Sequence, residues 1–122
     1  MDCSAASAAE ILAALAAEQS TYEVERLLAL AYRHRGELLE ARRAVVRALR
    51  LAPPPGTAAL RLRAEIDLER RDWRRAVQAY HQLIQAGEAL TPTEQADRAL
   101  ALYRLGRVAE GRAVLELSLI HI

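Results

Sequence analysis

The chain has 122 residues, 52% of them apolar and 4% aromatic, with 17 basic and 16 acidic residues and a formal charge of +1. That length corresponds to one domain with ample material for a core, and the abundance of Ala, Leu, Arg and Glu favours helix over strand. Near-neutral charge speaks against a dedicated nucleic-acid binder, which carries a basic stripe, and the single cysteine, Cys3, supports neither a disulfide framework nor a metal site.

Seven helices follow from the pattern of caps and apolar spacing. The first is expected from about Ser7 to Glu18, with Ser7 and Glu10 as a capping box and Ile11, Leu12 and Leu15 as its apolar stripe. The second opens at Ser20, with Glu23 completing a second box, and carries Val24, Leu27, Leu28, Ala31 and Tyr32 at three- and four-residue intervals. It should stop near Arg35, because Gly36 can take the left-handed conformation that ends helices. The third runs from Leu38 to Leu51 and buries Leu38, Ala41, Val45, Ala48 and Leu49, after which Pro53, Pro54, Pro55 and Gly56 form a stiff link. Thr57 is expected to cap the fourth, whose stripe is Leu60, Ala64 and Leu68 with Ile66 to one side. Asp72 caps the fifth, with Trp73, Ala76, Val77, Tyr80, Leu83 and Ile84 inward and Gly87 at its end. Thr91, Pro92 and Glu94 are the clearest start signal in the chain, and the sixth helix follows with Ala96, Ala99, Leu100 and Tyr103 until Gly106 stops it. The seventh begins near Val108 and reaches the carboxyl end.

These helices obey one period. Gly36, Arg71 and Gly106 stand 35 residues apart; Ala29, Ala64 and Ala99 precede them in phase, and Ala41, Ala76 and Gly111 follow, then Val45, Tyr80 and Leu115. Such an interval marks a stacked array of helix pairs, each pair burying its apolar face only against the next. The pattern resembles the tetratricopeptide repeat (TPR). Leu28, Ala29, Tyr32, Gly36, Ala41, Val45, Ala48 and Pro53 fall at that family's expected places in the first unit. The second unit keeps Leu60, Ala64, Ala76 and Tyr80 but has Asp67 for the aromatic, Arg71 for the corner glycine and Glu88 for the proline. The third keeps Ala99, Leu102, Gly106 and Leu115, with Gly111 and Ser118 at the small positions. The family's usual period is 34, so the extra residue belongs in the links. The resemblance implies an all-α, right-handed α-solenoid of antiparallel pairs: units at about 22–55, 57–90 and 92–122, preceded by an N-terminal capping helix within 1–19.

In that family the first helix of each unit lines a concave groove that holds a peptide or a partner's helix. Carried over by position, the groove would show Glu23, Arg26, Leu30, Arg33 and His34, then Ala58, Arg61, Glu65, Leu68 and Glu69, then Thr93, Ala96, Leu100, Tyr103 and Arg104. Arginines at several levels around a spine of Leu30, Leu68 and Leu100 suit an acidic or amphipathic partner segment; a plain solvated helix face is the alternative. The groups that clamp the carboxyl end of heat-shock chaperones are Lys and Asn, and this chain contains neither.

Catalytic, metal and cofactor chemistry find little support. His34 lies between Arg33 and Arg35, which disfavour a charged imidazole; His81 reads as surface; and Glu65 with Glu69 reads as a solvated acid pair rather than a cation site. The expectation is a scaffolding or adaptor protein. The alternatives are a docking or regulatory region of a larger enzyme, such as a transferase, and an RNA-binding helical repeat, which would need a consistent base-reading column. An all-Arg basic set suggests a GC-rich bacterial coding sequence. The start of the chain lacks a positive signal region, and no apolar run matches a bilayer span, so a cytoplasmic location is expected. The final stretch, LSLIHI from Leu117 to Ile122, resembles translated adapter read-through, which implies that the native chain continued beyond roughly Glu116 and that this chain is a fragment; the stretch also fits an apolar helix end through Leu115, Leu119 and Ile122. An uncapped apolar face there would favour self-association.

Overall fold

The computed structural model describes the backbone of residues 3–120 and the side-chain environments of residues 8–117. Seven α-helices follow one another: α1 (Cys3–Glu18), α2 (Tyr22–His34), α3 (Leu38–Leu51), α4 (Thr57–Glu69), α5 (Trp73–Gln85), α6 (Pro92–Arg104) and α7 (Val108–Ile120). There is no strand among the described residues. The extensive packing is between helices adjacent in sequence, α1 on α2 through α6 on α7. The expected stack of helix pairs is therefore present as an all-helical chain of neighbours, and 121–122 of the suspected non-native tail lie outside the described residues.

The corners explain the pairing. At Gly36 the backbone N–H donates to the Arg33 carbonyl at 3.0 Å while the Glu37 N–H donates to Tyr32 at 2.9 Å. This double closure satisfies carbonyls that a helix end leaves bare. It recurs 35 residues later from Arg71 to Leu68 and Asp72 to Asp67, and again from Gly106 to Tyr103 and Arg107 to Leu102. The geometry needs a left-handed residue, and φ is +79° at Gly36, +59° at Arg71 and +80° at Gly106. Arg71 alone carries a side chain into that region.

Three apolar clusters follow the pairs, and each borrows from its neighbours. The first joins Leu28 and Ala29 of α2, Ala41, Ala44 and Val45 of α3, and Leu62 and Ile66 of α4. Leu12, Ala13 and Ala16 of α1 cover it. The second joins Leu60 and Ala64 of α4 to Ala76, Ala79, Tyr80 and Leu83 of α5, with Leu49 of α3 against it. The third holds Ala99 and Leu102 of α6 and Val114 of α7, with Val77 of α5 packed on it.

Several local expectations are corrected. Ser7 lies inside α1 rather than at its cap, and Ile11 and Leu15 are exposed; the covering face is instead Ala9, Leu12, Ala13 and Ala16. The cap of α2 is Thr21, whose hydroxyl accepts from the Val24 N–H at 3.3 Å. Ser20 donates to Glu25 instead. Gly56, left-handed at φ +66°, precedes α4, so Thr57 is its first helical residue. The stripe of α4 is not one face but two, since Leu62 and Ile66 face one cluster and Leu60 and Ala64 the next. Ile84, Leu100 and Tyr103 are exposed, while Ala44, Ala79 and Ala101 are buried. The expected Thr91–Glu94 box is present in full, with Asp72 capping α5 through the Arg75 N–H.

Two substitutions test this packing by chemical denaturation. Arg71→Gly relieves a left-handed side chain worth roughly 1–2 kcal/mol, partly offset by glycine's greater unfolded entropy of about 0.5–1 kcal/mol. It should stabilise by about 0.5–1 kcal/mol; an unchanged or lower midpoint would contradict this. Ala76→Leu, at a fully buried site, should overpack the pair and cost about 1–3 kcal/mol.

Candidate functional site

The first helices of the three pairs form a continuous row, because arginines bridge them. Arg33 of α2 reaches α4, where its Nη1 donates to Glu65 Oε2 at 2.7 Å and its Nε to Glu69 Oε1 at 2.7 Å. Its Nη2 also contacts Glu69. The hydrogen bond to Glu69 raises the Arg33 pKa above the ordinary guanidinium value. Arg61 of α4 spans to the start of α6, lying 3.4 Å from Glu94 and donating to the Ala89 carbonyl at 3.1 Å, with Glu88 at 3.6 Å. Glu94 does double duty, since it also closes the α6 capping box.

This geometry places the residues singled out by the sequence. Leu30, Arg33, His34 and Glu69 surround an open hollow of about 420 Å³. Glu65 joins them through Arg33, so the two acids are engaged rather than merely solvated. Arg26 pairs with Glu23 on its own helix at 3.0 Å. Leu68 does not continue the spine, because it packs against the second cluster. Arg104 lies with its guanidinium carbon 5.9 Å from the Trp73 ring centroid, so it covers α5. Leu30, Leu100 and Tyr103 remain exposed at 38%, 41% and 38%.

Two buried acids are outside the expected set. Glu25 is 1% exposed and ties α2 to α3: Arg47 Nε donates to its Oε2 at 2.8 Å and Ser20 Oγ to its Oε1 at 2.9 Å. Asp67 is fully buried, with Arg42 of α3 at 3.2 Å, Arg63 of α4 at 3.5 Å and Arg70 at 3.5 Å. Neither carboxylate oxygen has a hydrogen bond of good geometry. Burial pushes the Asp67 carboxyl up, and the guanidiniums of Arg42 and Arg63 act against that rise. A signal for both existed: Asp67 stands in register with Tyr32 and Leu102, and Glu25 with Leu60, so an acid occupies a core column twice.

A second hollow, of about 380 Å³, lies between α5, α6 and α7. Among the described residues no group of three His, Cys, Asp or Glu could hold a metal ion, and no helix is long and apolar enough to cross a membrane. Comparison with protein-family models, with curated proteins and with solved structures finds no match to this chain.

The two kinds of ion pair should respond differently to mutation. Asp67→Ala leaves three guanidiniums facing one another without their counter-charge. Because they sit near the surface and can turn outward, a loss of about 2–3 kcal/mol is expected, below the figure for a fully enclosed pair. Arg33→Met should cost less than about 1 kcal/mol, and the cost should shrink further in molar salt. Urea denaturation of both variants at low and high salt checks this; equal losses would contradict it.

Proposed function

We propose that the chain is a TPR-like protein-interaction module whose row of first helices, α2, α4 and α6, receives a peptide or helix from a partner protein. The reading is of a binding face rather than a catalytic one. One observation carries it: Leu30, Leu100 and Tyr103 are exposed on a row whose neighbouring arginines are held in place by acids. Isolated exposed apolar residues are ordinary. Here Leu30 on the first unit and Leu100 and Tyr103 on the third flank the charged residues of α4 on a pre-ordered row, which suits the anchors of an amphipathic segment. In a right-handed solenoid of the kind the resemblance implies, this row lines the concave side.

The ion pairs refine the partner's chemistry. Arg33 and Arg61 are already engaged by carboxylates, so a purely acidic segment would have to displace Glu65, Glu69 or Glu94. An amphipathic segment with its apolar side on Leu30, Leu100 and Tyr103 faces no such competition. The same pairing weighs against RNA, since the row offers no continuous basic column for phosphates.

Selection of peptides from a displayed library against the whole chain tests the reading. The selected peptides should bind at least tenfold more weakly to Leu30→Glu and Tyr103→Glu, and unchanged to Leu39→Glu, an exposed apolar position on α3. Peptides indifferent to the row substitutions, or equally sensitive to Leu39→Glu, would overturn it.

A further inference from the structure

Asp67 and its arginines define a charge site at the junction of the first and second pairs. The repeat places a counterpart one period on, at the junction of the second and third. Arg63 becomes Arg98, Asp67 becomes Leu102, and Arg42 becomes Val77. The cation is kept, the internal acid is lost, and the long side chain that covered it is replaced by a short one.

The structure records the consequence. Arg98 is half-buried and, among the described residues, has neither a hydrogen bond nor a carboxylate within 4.0 Å, whereas Arg63 lies 3.5 Å from Asp67. Glu110, the acid whose charge acts on Arg98, is already held by Arg107 through two hydrogen bonds of 2.9 and 2.6 Å. Where the Arg42 side chain closes the earlier junction, the hollow of about 380 Å³ now opens. Val77 and Leu102 make its apolar floor, Arg98 its charged wall, and Gln78 and His81 of α5 its polar side. Burial depresses the guanidinium's pKa, the same cost that Arg42 carries beside Asp67. For Arg42 the buried Asp67 carboxylate offsets part of that cost; for Arg98 the opposing charge is the exposed Glu110, which Arg107 already holds.

We propose that this hollow binds a carboxylate on a short aliphatic stem, with the Arg98 guanidinium taking the place that Arg63 has beside Asp67. The choice of anion follows from the lining. Arg98 and Arg107 against Glu110 leave one net positive charge, which matches a monoanion rather than a phosphate dianion. A guanidinium fork fits the two oxygens of a carboxylate side by side, and Val77 and Leu102 give methylene groups an apolar bed. The group could come from a Glu or Asp side chain of a docked peptide or from a small free carboxylate. The site involves α5, α6 and α7 and is independent of the α2–α4–α6 reading.

Two probes separate those sources: butyrate, and the blocked tripeptide acetyl-Ala-Glu-Ala-amide, whose only charge is its side chain. Each is titrated into the whole protein while the Arg98 Nε–H and the backbone amides of Gln78 and His81 are followed by nitrogen-15 NMR. Saturable shifts confined to this hollow are expected with at least one probe. Response to butyrate alone assigns the site to small carboxylates, and response to the tripeptide to a peptide side chain. Arg98→Met, which keeps the aliphatic stem, should weaken binding at least tenfold. Val77→Glu, which supplies an internal acid, should do the same, and Leu39→Glu, at an exposed position on α3, should leave binding unchanged. No saturable shift with either probe at tens of millimolar, or equal binding by Arg98→Met, overturns the proposal.

Discussion

Neighbouring helices nest closely only where the side chains between them are small, because larger ones would overpack the gap. Ala41, Ala44 and Ala48 on α3, and Ala76 and Ala79 on α5, are all fully buried and meet that condition. The third pair has a glycine, Gly111, in the column of Ala41 and Ala76. A methyl group placed on Gly111 of α7 would sit 3.1 Å from the Ala99 carbonyl oxygen and 3.1 Å from the Tyr103 ring. These notches set the depth to which helices nest, and the larger residues beside them, Leu28, Val45, Tyr80 and Leu83, then fill what remains. The left-handed corners at Gly36, Arg71 and Gly106 turn the chain back at the same phase each time, so successive notches stay in register.

Nesting by neighbours has an electrostatic consequence. A helix in the middle of the row, such as α4, is covered on two sides, and any polar residue in its core columns must find a charge partner from an adjacent helix. Asp67 does so with Arg42 of α3 and Arg70 at the corner. The first helices meet more openly, and there Arg33 and Arg61 act as cross-ties between units rather than as free cations. The repeat therefore holds its charges in two layers: a desolvated one at the unit junctions and a solvated one along the row.

What was legible in the sequence was what is local or periodic. The limits of α3, the Thr91–Glu94 box, the Asp72 cap and the three corners each depend on residues within one turn, and they appear where expected. Misplaced caps show how short that reach is. Ser20 and Thr21 are equally good caps in isolation, and burial of Glu25 beneath Ser20 decides in favour of Thr21. Gly56 takes the left-handed turn out of the proline link, which leaves Thr57 already helical. The partners of Arg33 and Arg61 lie 27 to 36 residues away, and no helical periodicity specifies which rotamer meets which acid. Leu68 was misplaced for a related reason: a helix covered on two sides has no single stripe, so apolar spacing cannot separate an exposed leucine from a packed one.

The central claim is that stability passes from each pair to the next, with no common centre. Native-state hydrogen exchange on Leu102→Ala, a cavity variant in the core of the last pair, tests it most directly. A neighbour-coupled array predicts loss of protection in α6 and α7, a smaller loss in α5, and near-unchanged protection in α2 and α3. An equal loss across all the helices would show a single cooperative core and contradict the account.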